Sequence, residues 1–133
     1  MQTLTGYQTT MPYLIVSDAR ELIGFLTDVF RAEETFCVPF PEGGVMHAEL
    51  RIGESTILLA DARDAYKPTT AGLYVYVDDA DETYSRALAA GATSLIEPQD
   101  KEQGVRWAGF TDPFGNHWWI TTPLAWYCVL TAN

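Results

Sequence analysis

Positive charge is scarce in this chain. Lys and Arg number eight against eighteen Asp and Glu, for a formal net charge of −10 over 133 residues. Phosphate backbones and anionic headgroups bind through basic patches, so neither nucleic acid nor a membrane surface is expected as a partner. Cysteine is scarce too. Cys37 and Cys128 make neither a disulfide framework nor a metal-ligand spacing, and reduced thiols in a cytoplasmic protein are expected. No apolar run is long enough to cross a bilayer. The opening MQTLTGYQTTMPYLIV has no basic stretch leading into an apolar one, so no signal peptide is expected. There is no Gly-rich phosphate loop, and no Ser/His/Asp or Cys/His nucleophile set can be read off.

What the chain has is an internal repeat and many rings. The segment LIVSDARELIGFLTDVFRA (Leu14–Ala32) returns sixty-one residues later as VYVDDADETYSRALAAGA (Val75–Ala92), with Asp18 matching Asp79 and Glu21 matching Glu82. At an offset of sixty, Met46–Leu59 matches Arg106–Trp119. A long period seen twice is not a solenoid, which needs three or more stacked units. It implies two similar halves in one domain, joined by the polar stretch Asp61–Thr70. Apolar residues make up 47% of the chain and aromatic ones 13%, enough for a core with rings left over.

Each half reads as strand, helix, then three strands. Strands are expected over Met11–Val16, Phe36–Phe40, Met46–Ile52 and Thr56–Ala60, with an Asp18-capped helix over Ala19–Phe30. The second half repeats this with a strand over Leu73–Val77 and an Asp79-capped helix over Asp81–Ala90. Strands near Thr93–Ile96, Val105–Phe110 and His117–Thr121 follow, with a loop over Pro98–Gly104. Strand alternation assigns faces. Met46, Ala48, Leu50 and Ile52 should face the helix, with His47, Glu49 and Arg51 opposite. The same parity places Tyr13, Leu59, Tyr74, Tyr76, Trp107, His117 and Trp119 on open faces. A salt bridge from Arg51 or Arg106 to Glu49 or Glu54 is expected. The apolar Trp126–Leu130 reads as an added edge strand or a dimer contact.

The PYLIVSDARELIGFLTDVF, HAELRIG and VYVDDAD segments and the closing WAGFTDPFGNHWWI resemble the vicinal oxygen chelate superfamily, which includes glyoxalase I, extradiol dioxygenases, and fosfomycin- and bleomycin-resistance proteins. The PhnB-like branch is the nearest in appearance, and the likeness runs from about Met11 to Thr122. It implies an α+β fold of two βαβββ modules, over 11–61 and 71–122 of a single domain, with curved mixed sheets forming a cup and usually a homodimer. It also implies four metal-ligand positions, which fall here on Met11, Leu59, Gly72 and Trp119. None is a carboxylate or an imidazole, and their one-residue neighbours supply none either. Hard and borderline cations need oxygen or nitrogen donors. No metal and no other cofactor is therefore expected, and glyoxalase I chemistry is not.

The open-face residues Tyr13, His47, Glu49, Leu59, Tyr74, Tyr76, Trp107, His117 and Trp119 are the candidate ligand contacts. A ring-lined hollow with few polar groups suits a small aromatic or cationic guest, and sequestration of an antibiotic or metabolite is the most concrete expectation. Two alternatives stay open. One is a lyase, isomerase or dioxygenase acting through His47 and Glu49 or through a metal held elsewhere. The other is a binding subunit that carries or senses a metabolite.

Overall fold

Two Asp-capped helices mark the two halves of the chain. The structure, a computed structural model, describes residues 2–124, so Trp126–Leu130 and Cys128 lie outside the described residues. The chain divides into two compact units, the first ending at Thr70 and the second beginning at Ala71. In the first, β1 (Tyr13–Val16) leads to α1 (Ala19–Phe30), β2 (Glu33–Pro39), β3 (Val45–Ile52) and β4 (Ser55–Asp61). In the second, β5 (Gly72–Tyr76) leads to α2 (Ala80–Ala89), β6 (Thr93–Lys101), β7 (Val105–Thr111) and β8 (His117–Pro123). The class is α+β, as expected. Each unit is one mixed four-stranded sheet, ordered β1-β4-β3-β2 and β5-β8-β7-β6, with the first and last strands of each module parallel.

The helix starts follow from side-chain chemistry. Asp18 accepts from the Glu21 amide and Asp79 from the Glu82 amide, each at 3.1 Å, which satisfies a donor the helix cannot pair internally. One helix covers one face of each sheet. In the first unit Leu14, Val16, Leu22, Leu26, Val29, Ala48, Leu50 and Leu59 are buried there. In the second, α2 offers only the small Ala80, Thr83 and Ala87, and the bulk comes from Phe110, Trp118 and Ile120.

Three expectations shift in register. Met46 is not on the helix side. Pro39 pairs with Val45 and Val38 with His47, so Met46 is the extra residue of a bulge. Val45 is buried in its place, and Met46 is 41% exposed. Leu59 is not on the open face either. It pairs with Ala48 and Leu14 and is fully buried, whereas its neighbour Leu58 pairs with Tyr13 and Glu49 on the open side. The cause lies in the hairpin turns. Two residues, Gly53 and Glu54, join β3 to β4, while Asp112 and Asn116 flank three, including the positive-φ Gly115. The repeat offset thus grows from sixty to sixty-one in the last strand, and Trp119 is equivalent to Leu58. Finally, β6 continues through Pro98 to Lys101 where a loop was expected. Proline is tolerated there because β6 is an edge strand and its register shifts between Ile96 and Gln99.

The Asp112 turn is built around one buried carboxylate. Asp112 accepts from the Phe114 and Asn116 amides, Asn116 Nδ2 and Trp118 Nε1, at 2.8, 3.1, 2.9 and 2.9 Å. Asn116 in turn accepts from the Ala71 amide at 2.9 Å, which anchors the start of β5. Asp112→Ala orphans these donors, and each one left buried costs about 1–3 kcal/mol. The variant is expected to lose about 3 kcal/mol or more of unfolding free energy in urea titrations. A loss below about 1 kcal/mol would contradict this account of the turn.

Candidate functional site

On β3 the strand period puts His47 and Glu49 on the face away from α1. Glu49 is 9% exposed. It accepts from the Tyr7 hydroxyl and lies 2.8 Å from His47 Nε2. Tyr7 arrives on an extended arm that is laced to β4. Gln8 Nε2 donates to the Thr56 carbonyl at 2.7 Å, the Thr56 amide donates to Gln8 Oε1 at 3.2 Å, and the Thr56 hydroxyl donates to the Gly6 carbonyl at 2.9 Å.

Burial is the largest single influence on the Glu49 carboxyl and pushes its pKa up. The hydrogen bonds from Tyr7 and His47, with the His47 charge, outweigh it and leave the net value below the usual one. Glu49 is therefore ionised at neutral pH and can only accept, so His47 must carry its proton on Nε2. That leaves Nδ1 as a lone pair when the ring is neutral. Hydrogen bonding to Glu49 is also the first cause that raises the Tyr7 phenol, followed by burial.

His47 faces a hollow of about 550 Å³ lined also by Tyr13, Phe40, Met46, Arg63 and Tyr66, with Ile15, Ala60 and Asp61 completing it. Its ring meets Tyr13 edge-on at 5.9 Å and Phe36 at 6.3 Å between centroids. Glu49 lies behind His47, on a separate hollow of about 260 Å³ shared with Tyr7, Phe36 and Arg51. Among the described residues Arg51 has no acid partner, and its Nε donates to the Gly53 carbonyl at 3.1 Å. Arg106 does pair with acids, but with Asp81 at 2.6 Å and Asp100 at 3.1 Å rather than Glu49 or Glu54.

The second unit carries its own ring face. Tyr74 and Tyr76 lie 5.9 Å apart and are 53% and 70% exposed, and His117 meets Trp119 at 5.7 Å. Trp107 is already covered, since Lys101 Nζ sits 3.8 Å above its ring. Trp119 lies across two glycines. A Cβ on Gly72 would come within 3.2 Å of its ring, and one on Gly109 within 3.3 Å.

Sequence reasoning put Tyr13, His47 and Glu49 on one open face, of which the structure brings Tyr13 and His47 to the larger hollow and leaves Glu49 on the smaller one. It put Leu59 on the wrong face and missed Tyr7, Phe40, Met46, Arg63 and Tyr66. The bulge that frees Met46 has no periodic signature. Arg63 and Tyr66 stand in the stretch read as a linker, where they pair with each other in a tight turn (2.8 and 2.9 Å).

The sequence profile of the Glyoxalase/Bleomycin resistance protein/Dioxygenase superfamily matches residues 7–120. The chain belongs to this superfamily. An uncharacterized protein of Mycobacterium bovis is 36% identical over 124 residues, covering 85% of this chain and 82% of the relative. The crystal structure of TioX from Micromonospora sp. ML1 matches at a TM-score of 0.73 and 27% identity, over 88% of this chain and 100% of TioX. The fosfomycin resistance protein FosX from Mesorhizobium loti matches at a TM-score of 0.65 and 18% identity, over 92% and 97% of the two chains, which speaks to the fold alone.

The superfamily's metal-ligand positions do not fit a metal here. With the register corrected they are Met11, Leu58, Gly72 and Trp119, and the Trp119 ring fills the space a side chain at Gly72 would need. Among the described residues, no three His, Cys, Asp or Glu side chains come together as a metal site.

The linkage at Glu49 has a definite sign. Its folded pKa lies below the unfolded value, so its contribution to stability is present above about pH 4.3 and is lost as pH falls through the folded value. Tyr7 is raised, so its share is present below about pH 10 and is lost as pH rises through its folded value. The difference in unfolding free energy between wild type and Glu49→Gln should shrink in acid as the Glu49 carboxyl is protonated. Chemical denaturation across pH checks this, and a difference that stays undiminished at pH 3 would contradict it.

Proposed function

We propose that the chain binds a small, flat organic molecule through rings and side-chain hydrogen bonds, without a resident metal. The supporting observation is the hollow beside His47. Its volume of about 550 Å³ falls in the usual range of ligand sites, and Tyr13, Phe40, Met46 and Tyr66 offer it apolar surface. Sequestration of an antibiotic or metabolite is the form we favour, by analogy with the resistance proteins that share the fold. The second unit's Tyr74, Tyr76, Trp107, His117 and Trp119 remain ligand-contact candidates. A cationic guest on Trp107 would have to displace Lys101. We also place the chain in the PhnB-like branch, in the cytoplasm and as a homodimer. Among the described residues no helix is long and apolar enough to cross a membrane.

One observation favours a second reading. His47, with Nε2 engaged by Glu49, has a geometry suited to taking a proton from a bound substrate at Nδ1. Glu49 would then be the positioning residue. Turnover of a bound compound that His47→Ala abolishes, while binding survives, would favour this enzyme reading over sequestration.

A thermal-shift screen of flat aromatic compounds, run with chelator and with added Zn, Ni, Mn or Fe, tests the main reading. The shift from a binding compound is expected to be the same in both conditions. Tyr13→Ala should weaken that compound by about 1–3 kcal/mol, the range for a buried aromatic anchor. Binding that appears only with added metal would overturn the metal-free account. Sedimentation at micromolar concentration should give about twice the 14.8 kDa chain mass. A monomer at every concentration would remove the dimer.

A further inference from the structure

Resting on the binding reading above, we propose that the first unit's hollow takes an aromatic anion of the carboxylate class, and that Arg63 is the anchor for its charged group. Apart from the phenols of Tyr13 and Tyr66, three charged or titratable side chains line this hollow: Asp61, Arg63 and His47. Asp61 is turned toward the backbone. Its Oδ1 accepts from the Ala19 amide at 2.7 Å and its Oδ2 from the Val45 amide at 2.5 Å. It is also closed in, because a Cβ on Gly44 would come within 2.8 Å of Oδ2. His47 donates from Nε2 to Glu49, which does not line the hollow.

Arg63 is engaged differently. Its guanidinium carbon sits 4.4 Å over the Phe40 ring. Stacking of this kind orients the planar group but consumes none of its five N–H donors. Among the described residues, no side-chain hydrogen bond or ion pair engages it. Its neighbour Asp64 is directed to Lys67, 3.9 Å away. The contrast within the chain is informative. Arg20, Arg86 and Arg106 each have a carboxylate partner at 2.6 Å. Arg51, beside the smaller hollow, has no carboxylate partner either but spends its Nε on the Gly53 carbonyl, whereas the Arg63 fork beside the larger hollow is open.

Arg63 is mounted on a backbone-paired turn. Its amide donates to the Tyr66 carbonyl at 2.8 Å and the Tyr66 amide donates back at 2.9 Å. Residues paired this way project their side chains to the same side, and both line the hollow. A fork-shaped donor fixed beside Tyr66, Phe40 and Tyr13 matches a planar acid attached to a planar ring. His47, on the same lining, has Nδ1 left to accept from a hydroxyl or amino group on the same guest.

The test uses three probes of one shape and different charge: 2-naphthoate, 2-naphthamide and 2-naphthamidine, titrated calorimetrically into the full chain. Naphthoate should bind about tenfold tighter than the amide, a typical gain for a charge-assisted bond near the surface, and the amidine should bind weakest. Arg63→Gln should bring naphthoate to the amide's affinity and leave the amide unchanged. If that variant loses the amide as well, Arg63→Lys replaces it. This variant keeps the charge without the fork, and a reduced preference for naphthoate is expected. An undiminished preference in either variant would overturn the anchor. Equal binding of all three probes by wild type would leave the aromatic site standing and remove the anion anchor. A tighter amidine would reverse the assignment. If none of the probes binds, the binding reading fails and this inference fails with it.

Discussion

A carboxylate on the exposed side of a sheet ordinarily points to water, but Glu49 is nearly covered, and the arrangement of the candidate site depends on how that burial is offset. Burying a charge without partners is costly. Here Tyr7 and His47 supply donors to its two oxygens. The consequence reaches beyond the carboxylate. Tyr7, far from Glu49 in sequence, is drawn onto the sheet, and with it the arm that Gln8 laces to Thr56. The His47 ring, which lines the hollow, is held through Nε2 in one tautomer. Replacing Glu49 by a shorter or neutral residue would loosen the ring that faces the hollow and the arm behind it, and would remove the cause that raises the Tyr7 phenol.

Much of the fold was legible because it obeys short-range rules. The Asp18 and Asp79 caps, the helical spacing of Leu22, Leu26 and Val29 and the alternation in β3 each reflect one local interaction that the structure retains. The errors came where one residue changes a register. Gly115 lengthens the second hairpin turn relative to Gly53-Glu54, so an offset correct for β3 and β7 fails for β4 and β8 and puts Leu59 on the wrong face. The Met46 bulge is set by how β2 pairs with β3, which is a tertiary fact. The site was less legible than the fold. Tyr13, His47 and Glu49 lie on strands and follow parity. Tyr7, Arg63 and Tyr66 lie on an arm and a turn, where side-chain direction depends on backbone bonds that no period reveals.

Superfamily membership and the side chains of this chain point in different directions. The fold offers first- and last-strand positions that converge in each module, and the sequence fills them with a thioether, an alkyl group, no side chain and an indole. The Trp119 ring across Gly72 and Gly109 makes the second module's position a packed surface. The first module's hollow is instead lined by rings, one imidazole and one guanidinium. The overall charge of −10 is a property of the whole surface and does not describe this hollow. Asp61, the acid that lines it, is engaged by the Ala19 and Val45 amides, and the guanidinium of Arg63 is the cationic group beside it.

The chain has two histidines, which makes the most direct measurement simple to assign. Ring nitrogen-15 spectra of His47 and His117 at neutral pH, recorded while an aromatic compound that stabilises the protein is added, report on tautomer and contact together. The account predicts that neutral His47 carries its proton on Nε2 and that its Nδ1 resonance moves as the hollow fills. A His47 protonated on Nδ1, or a titration that moves only His117, would contradict it.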